Sequence, residues 1–168
     1  MAVSLQEVTA ALMPEEPDYE QSAQLGPDAL PHLATLVQTG DSMIASKAVY
    51  LASLIPDPRA QAILLEATQS GRPEVRVAAA AGARNLNAPA ASDVLVAALS
   101  DGDSGVRKVA LKSVPAAVIP ADDGATAVAE SGQSQELLAK VEELTTDDPE
   151  PFIRDLSREV LEQLPTPL

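Results

Sequence analysis

Leu5, Val8 and Leu12 recur at helical spacing, and Ser4 with Glu7 three residues later has the form of a capping box. That pattern predicts a first helix over residues 3–12, broken by the prolines between Met13 and Pro17. A short helix is expected over 18–25, ending at Gly26. Pro27 then stands where a helix accepts its first residue, and Leu30, Leu33, Leu36 and Val37 form one apolar stripe up to Gly40.

From there the pattern repeats. Segments 63–86, 94–114 and 137–164 each read as an apolar-striped helix, a short polar turn and a second helix. The second helices open with Val75-Arg76, Val106-Arg107 and Ile153-Arg154, and a weaker copy starts at Ile44 with Ala45 in place of arginine. Ile44 to Val75 and Val75 to Val106 are both 31 residues; Val106 to Ile153 is 47, leaving room for about half a repeat more. Four residues past each anchor lie Ala48, Ala79, Ala110 and Ser157, and seven past lie Leu51, Gly82, Ser113 and Val160. These offsets share one helical face, and small residues on it let neighbouring helices approach closely. One hairpin cannot bury both its faces, so the copies must stack.

The signatures Asp101-Gly102-Asp103-Ser104-Gly105-Val106-Arg107-Lys108-Val109-Ala110-Leu111 and Pro73-Glu74-Val75-Arg76-Val77-Ala78-Ala79-Ala80 resemble HEAT repeats, in the short form found in phycobilin-lyase-type proteins. The resemblance spans residues 28–164. It implies an all-α fold, a right-handed α-α superhelix forming a HEAT-like solenoid of about four helical hairpins. One domain, 1–168, would then comprise capping helices 1–27, repeats at 28–56, 59–87, 91–115 and 134–164, and an insertion loop at 116–133, punctuated by proline and by Gly124. A short helix is expected inside that loop at 125–130. In that family an acidic turn residue precedes the Val-Arg pair, and the arginine helps form a polar ladder between repeats. Arg76, Arg107, Arg154 and Asp101 are therefore expected as ladder residues.

Composition sharpens this picture. The chain has 168 residues, 46% of them hydrophobic, but its only aromatics are Tyr19, Tyr50 and Phe152. Its core must be built from Ala, Leu, Val and Ile, which suits close helix packing. There is no cysteine, hence no disulfide framework or thiolate chemistry. The N-terminal residues lack the basic start of a secretory signal, and no apolar run reaches the roughly 20 residues of a membrane span; a cytoplasmic location is expected.

Net charge is −14, yet residues 71–115 carry six bases against four acids. Nucleic-acid binding rests on phosphate neutralisation and base stacking, and this balance with so few aromatics argues against it. His32, the sole histidine, has no evident partner and is given no role. Asp122-Asp123-Gly124 and Asp147-Asp148 lack the alternating acidic spacing of a calcium loop. Asp147, Asp148, Asp101 and Asp103 instead suit the positive ends of the helices that follow them. Neither cofactor nor metal is expected.

Second helices line the concave surface in HEAT-like solenoids, so the resemblance places Tyr50, Arg84, Lys108 and Lys112 in a groove. That groove would run from neutral (Ser46, Tyr50, Ser53) through basic to acidic (Asp155, Glu159, Glu162). The function expected is a non-enzymatic interaction module, an adaptor or scaffold binding a protein partner with an acidic segment, neither nucleic acid nor membrane. The alternative implied by the resemblance is a bilin-lyase-like enzyme or enzyme subunit.

Overall fold

The computed structural model describes residues 2–119 and 132–164. Among them the only regular elements are helices: α1 (Leu5–Leu12), α2 (Tyr19–Ala23), α3 (Leu30–Thr39), α4 (Ser42–Ser53), α5 (Pro58–Ala67), α6 (Pro73–Gly82), α7 (Ala88–Leu99), α8 (Ser104–Val118), α9 (Gly132–Asp147) and α10 (Pro151–Gln163), with single 3₁₀ turns at Pro27–Ala29 and Ala83–Asn85. The fold is the expected HEAT-like stack. Hairpins α3/α4, α5/α6, α7/α8 and α9/α10 follow one another, each second helix packing on the next second helix and each first helix on the next first helix.

Local chemistry starts these helices. The Ser4 hydroxyl accepts from the Glu7 N–H at 3.3 Å while the Glu7 carboxylate accepts from the Ser4 N–H at 2.8 Å, so two orphan donors of α1 are met reciprocally. Asp18, Asp41, Asp57, Asn87 and Asp103 cap α2, α4, α5, α7 and α8 through side-chain oxygens. Gly26 takes φ +70, a left-handed conformation that ends α2 and lets the chain turn into Pro27.

The core runs the length of the stack. All eight repeat positions at +4 and +7 from the anchors are buried. At Gly82 the helices come close: a Cβ there would lie 2.9 Å from the Ser53 Cβ and 3.2 Å from Leu64 Cδ2. Twelve of the largest fully buried side chains are Leu, Ile or Val, so no aromatic anchors the interior. Each such side chain contributes roughly 1.5–3 kcal/mol by leaving water.

α1 packs against α3 and α4 and α2 against α4, burying Val8, Leu12 and Ser22. Leu5, first of the predicted stripe, is instead 41% exposed. A proline break at 115 was expected to close the third repeat. Pro115 in fact lies inside α8, which runs to Val118 and continues through Ile119 N–H to Pro115 C=O at 2.8 Å. Burial of Val114, Ala117 and Val118 outweighs the one backbone bond that the proline forgoes. The third hairpin also starts earlier than residue 91, at Ala88, where Asn87 supplies the cap. α9 begins at Gly132, inside the span assigned to the insertion loop. The short helix expected at 125–130 lies outside the described residues.

Candidate interaction surface

Two surfaces emerge from the repeat register: a polar edge where the turns stack, and the outward face of the second helices.

The edge is built from the arginine that follows each anchor. Arg76 donates from Nε to Asp101 Oδ2 at 2.7 Å and from Nη2 to Asp101 Oδ1 at 3.2 Å, while Nη1 reaches back to the Ser70 carbonyl at 2.9 Å. Arg107 repeats this one hairpin on, with Nε to Asp148 Oδ2 at 2.7 Å, Nη2 to Oδ1 at 2.9 Å and Nη1 to the Asp101 carbonyl at 2.9 Å. Each fork thus closes its own turn and grips the acid of the next, a bidentate geometry that suits guanidinium and carboxylate. Arg154 makes only the backward half among the described residues, from Nη1 to the Asp148 carbonyl.

The Arg107–Asp148 pair is buried, its side chains 7% and 1% exposed. Burial alone pushes the Asp148 carboxyl up. The hydrogen bonds from Arg107 and the Glu150 N–H, with the charges of Arg107 and Arg154, outweigh it and hold the group below its ordinary value. Hydrogen bonding to Asp148 raises Arg107 above its usual range in turn, as Asp101 raises Arg76. Where the turns meet, open clefts of about 550 Å³ and about 210 Å³ flank the two pairs.

Two edge residues escape a reading of the sequence alone. Asp148 looks like a dipole acid ahead of α10, yet it is the rung for Arg107; the signal was its position 47 residues after Asp101, the same interval as between the anchors. Arg72 serves the first junction, where Ala45 offers no fork. It donates from Nη1 to the Gly40 carbonyl at 2.8 Å and from Nη2 to Val37 at 2.7 Å. Arg72 sits at the N-cap of α6, where α4, α8 and α10 carry Asp41, Asp103 and Glu150. The first junction is therefore bonded backward by an arginine of the second hairpin.

On the other surface, Arg84, Lys108 and Lys112 are all exposed. Arg84 extends from the 3₁₀ turn after α6 to α8, its Nη2 3.5 Å from the Ser113 hydroxyl. Asp155, Glu159 and Glu162 are exposed on α10. Tyr50 does not join the bases: α6 lies between its helix and α8, and it is half-buried, edge-on to Tyr19 with ring centroids 4.9 Å apart. Two apolar side chains share the face, Met43 and Phe152, 63% and 45% exposed, each one residue before an anchor.

His32 acts locally: its Nε2 lies 2.8 Å from the Val3 carbonyl and ties the N-terminal strand of chain to α3. Among the described residues no cluster of three or more His, Cys, Asp or Glu has the geometry to hold a metal ion. No described helix is long and apolar enough to cross a membrane.

Comparison with known proteins closes the question of family. The profile of HEAT repeats matches residues 64–162, more than half of the chain. The chain belongs to the HEAT-repeat family. Among solved structures, a chain of the complex of CpcE and CpcF of phycocyanin lyase from Nostoc sp. PCC7120 superposes with TM-score 0.69 at 21% identity, covering 94% of this chain and 97% of that one. An engineered protein aligns over 96% of this chain and 98% of its own at 17% identity, with TM-score 0.47, too loose to inform the fold. No curated protein matches by sequence. These HEAT repeats account for the arginine edge as part of the scaffold.

Proposed function

We propose that this HEAT-repeat chain is a non-enzymatic adaptor in the cytoplasm, and that it binds an acidic segment of a protein partner on the concave side lined by its second helices. The supporting observation is a set of three exposed bases in a chain of net charge −14: Lys108 and Lys112 one turn apart on α8, and Arg84 in the 3₁₀ turn after α6, reaching Ser113 of α8. Complementary charge steers encounter and excludes partners of the wrong sign. Exposed Met43 and Phe152 flank the cluster and supply apolar anchors, the kind of contact that carries most binding energy when water is excluded around it. Tyr50, half-buried and edge-on to Tyr19, supports α2.

Affinity capture with wild type and with the Lys108→Glu, Lys112→Glu variant, compared by mass spectrometry, tests this reading. A protein held by wild type and lost by the variant is the expected result. Identical captures would remove the basic cluster from the function.

One observation favours a second reading, a subunit of a bilin-lyase-type enzyme: the end-to-end superposition on a chain of the phycocyanin lyase complex. A shift in bilin absorbance on mixing with the protein would support it, and a flat spectrum would dispose of it.

A further inference from the structure

We infer that two copies of this chain associate face to face through α8 and α10, the lysines of one copy's α8 meeting the carboxylates of the other copy's α10. This rests on the reading above in taking Lys108 and Lys112 as a surface for an acidic segment, and it names a segment that the chain itself carries.

Two neighbouring second helices carry opposite charge at the same repeat positions. Two residues past the anchor stand Lys108 in α8 and Asp155 in α10, and six past stand Lys112 and Glu159, all four exposed. At those positions α6 has Val77 and Ala81, and α4 has Ser46 and Tyr50, all half-buried, so the opposed columns belong to α8 and α10. Neither lysine makes a hydrogen bond or ion pair among the described residues. Asp155 gives one oxygen to Arg158 at 2.8 Å and Glu159 one to Gln163 at 3.3 Å, which leaves the second oxygen of each carboxylate. Apolar bulk is matched to space on the same face. One residue before the anchor α10 has Phe152, 45% exposed, where α8 has the exposed Gly105 with no side chain.

Symmetry makes this face complementary to itself. α8 and α10 pack side by side, and both start at the arginine edge, so they run the same way. A two-fold axis parallel to the pair and midway between them lays each α8 on the other copy's α10, with equivalent repeat positions at one height. Lys108 then faces Asp155, Lys112 faces Glu159 and Phe152 faces the space at Gly105, each contact being made twice. A two-fold axis across the helices would instead set lysine against lysine and acid against acid, which like charge opposes. The patch measures roughly 20 Å by 20 Å, two helices of about four turns lying about 9 Å apart, or about half the usual area per partner of a stable complex. Such a contact makes a weak, reversible dimer whose orientation is set by charge.

Sedimentation equilibrium of the full chain from about 10 μM to about 1 mM reads this association. Wild type is expected to dimerise within that range. The Lys108→Glu, Lys112→Glu variant and the Asp155→Lys, Glu159→Lys variant are each expected to associate more than about tenfold more weakly. An equimolar mixture of the two should recover the dimer, because every facing pair is again opposite in sign. The chain with all four substitutions should recover it too, since its columns have exchanged places. Monomeric wild type at the top of the range, variants that dimerise as wild type does, or a mixture that stays monomeric would each overturn the inference. Asp155→Lys, Glu159→Lys leaves Lys108 and Lys112 in place, so a foreign partner that it still captures bears on the function proposed above, whereas the dimer is read from sedimentation alone.

Discussion

Arg107 and Asp148 meet in a bidentate pair, at 2.7 and 2.9 Å, across 41 residues of sequence that include the whole span between α8 and α9. With both side chains buried, the pair locks the last hairpin to the third at a junction whose connecting chain is long. A buried ion pair is a poor source of net stability, but it is costly to break by halves.

Arg107→Met or Asp148→Asn alone should therefore destabilise the chain by about 3–5 kcal/mol, because each leaves the other group buried without its partner. The double variant should lose less than the two losses added together. Urea unfolding of the three variants and wild type measures this, and simple additivity would mean that the residues do not act as a pair.

Asp148 also gives the stability a pH dependence of known sign. Its folded value lies below the ordinary value of 3.8, so its contribution is complete above that value and is lost as pH falls through the folded one. Asp57, brought down to about 2 by hydrogen bonds from the Arg59 side chain and backbone, acts in the same direction at the surface. Tm followed from pH 5 to pH 2 should fall more steeply in wild type than in Asp148→Asn, whose Asp57 is intact. Parallel curves would show that Asp148 does not carry the acid limb.

At Gly82 α6 comes close to α4 and α5, and a side chain there meets Ser53 and Leu64 at once. Gly82→Val should cost roughly 1–3 kcal/mol by overpacking, despite the better conformational entropy of a non-glycine residue. An unchanged Tm would mean that α4 and α6 separate without penalty.

Tyr50→Ala is expected to act through the N-terminal helices. Loss of its edge-on contact with Tyr19 removes about 0.5–1.5 kcal/mol beyond the buried area and frees α2 from α4. Hydrogen exchange should rise over residues 18–25 in this variant and stay unchanged there in Lys108→Glu, Lys112→Glu. Partner binding lost through Tyr50 alone is then a consequence of the cap rather than evidence of a groove contact.

Helix type and repeat length were readable along the chain because each follows from spacing, 3.6-residue stripes and anchors 31 residues apart over the first three copies, while the ladder role of Arg76 and Arg107 came with the resemblance to HEAT repeats. The burial of Ala48, Ala79, Ala110 and Ser157 followed from the same register. Pro115 misled, because a local breaking signal was overridden by burial of the residues around it. Which acid meets which arginine, that Arg72 bonds the first junction in place of the missing fork at Ala45, and that Tyr50 belongs to the cap, were decided in three dimensions. Periodicity reports the face on which a residue lies; the partner it meets there depends on how neighbouring hairpins stack, and stacking brings together residues that no local interaction relates.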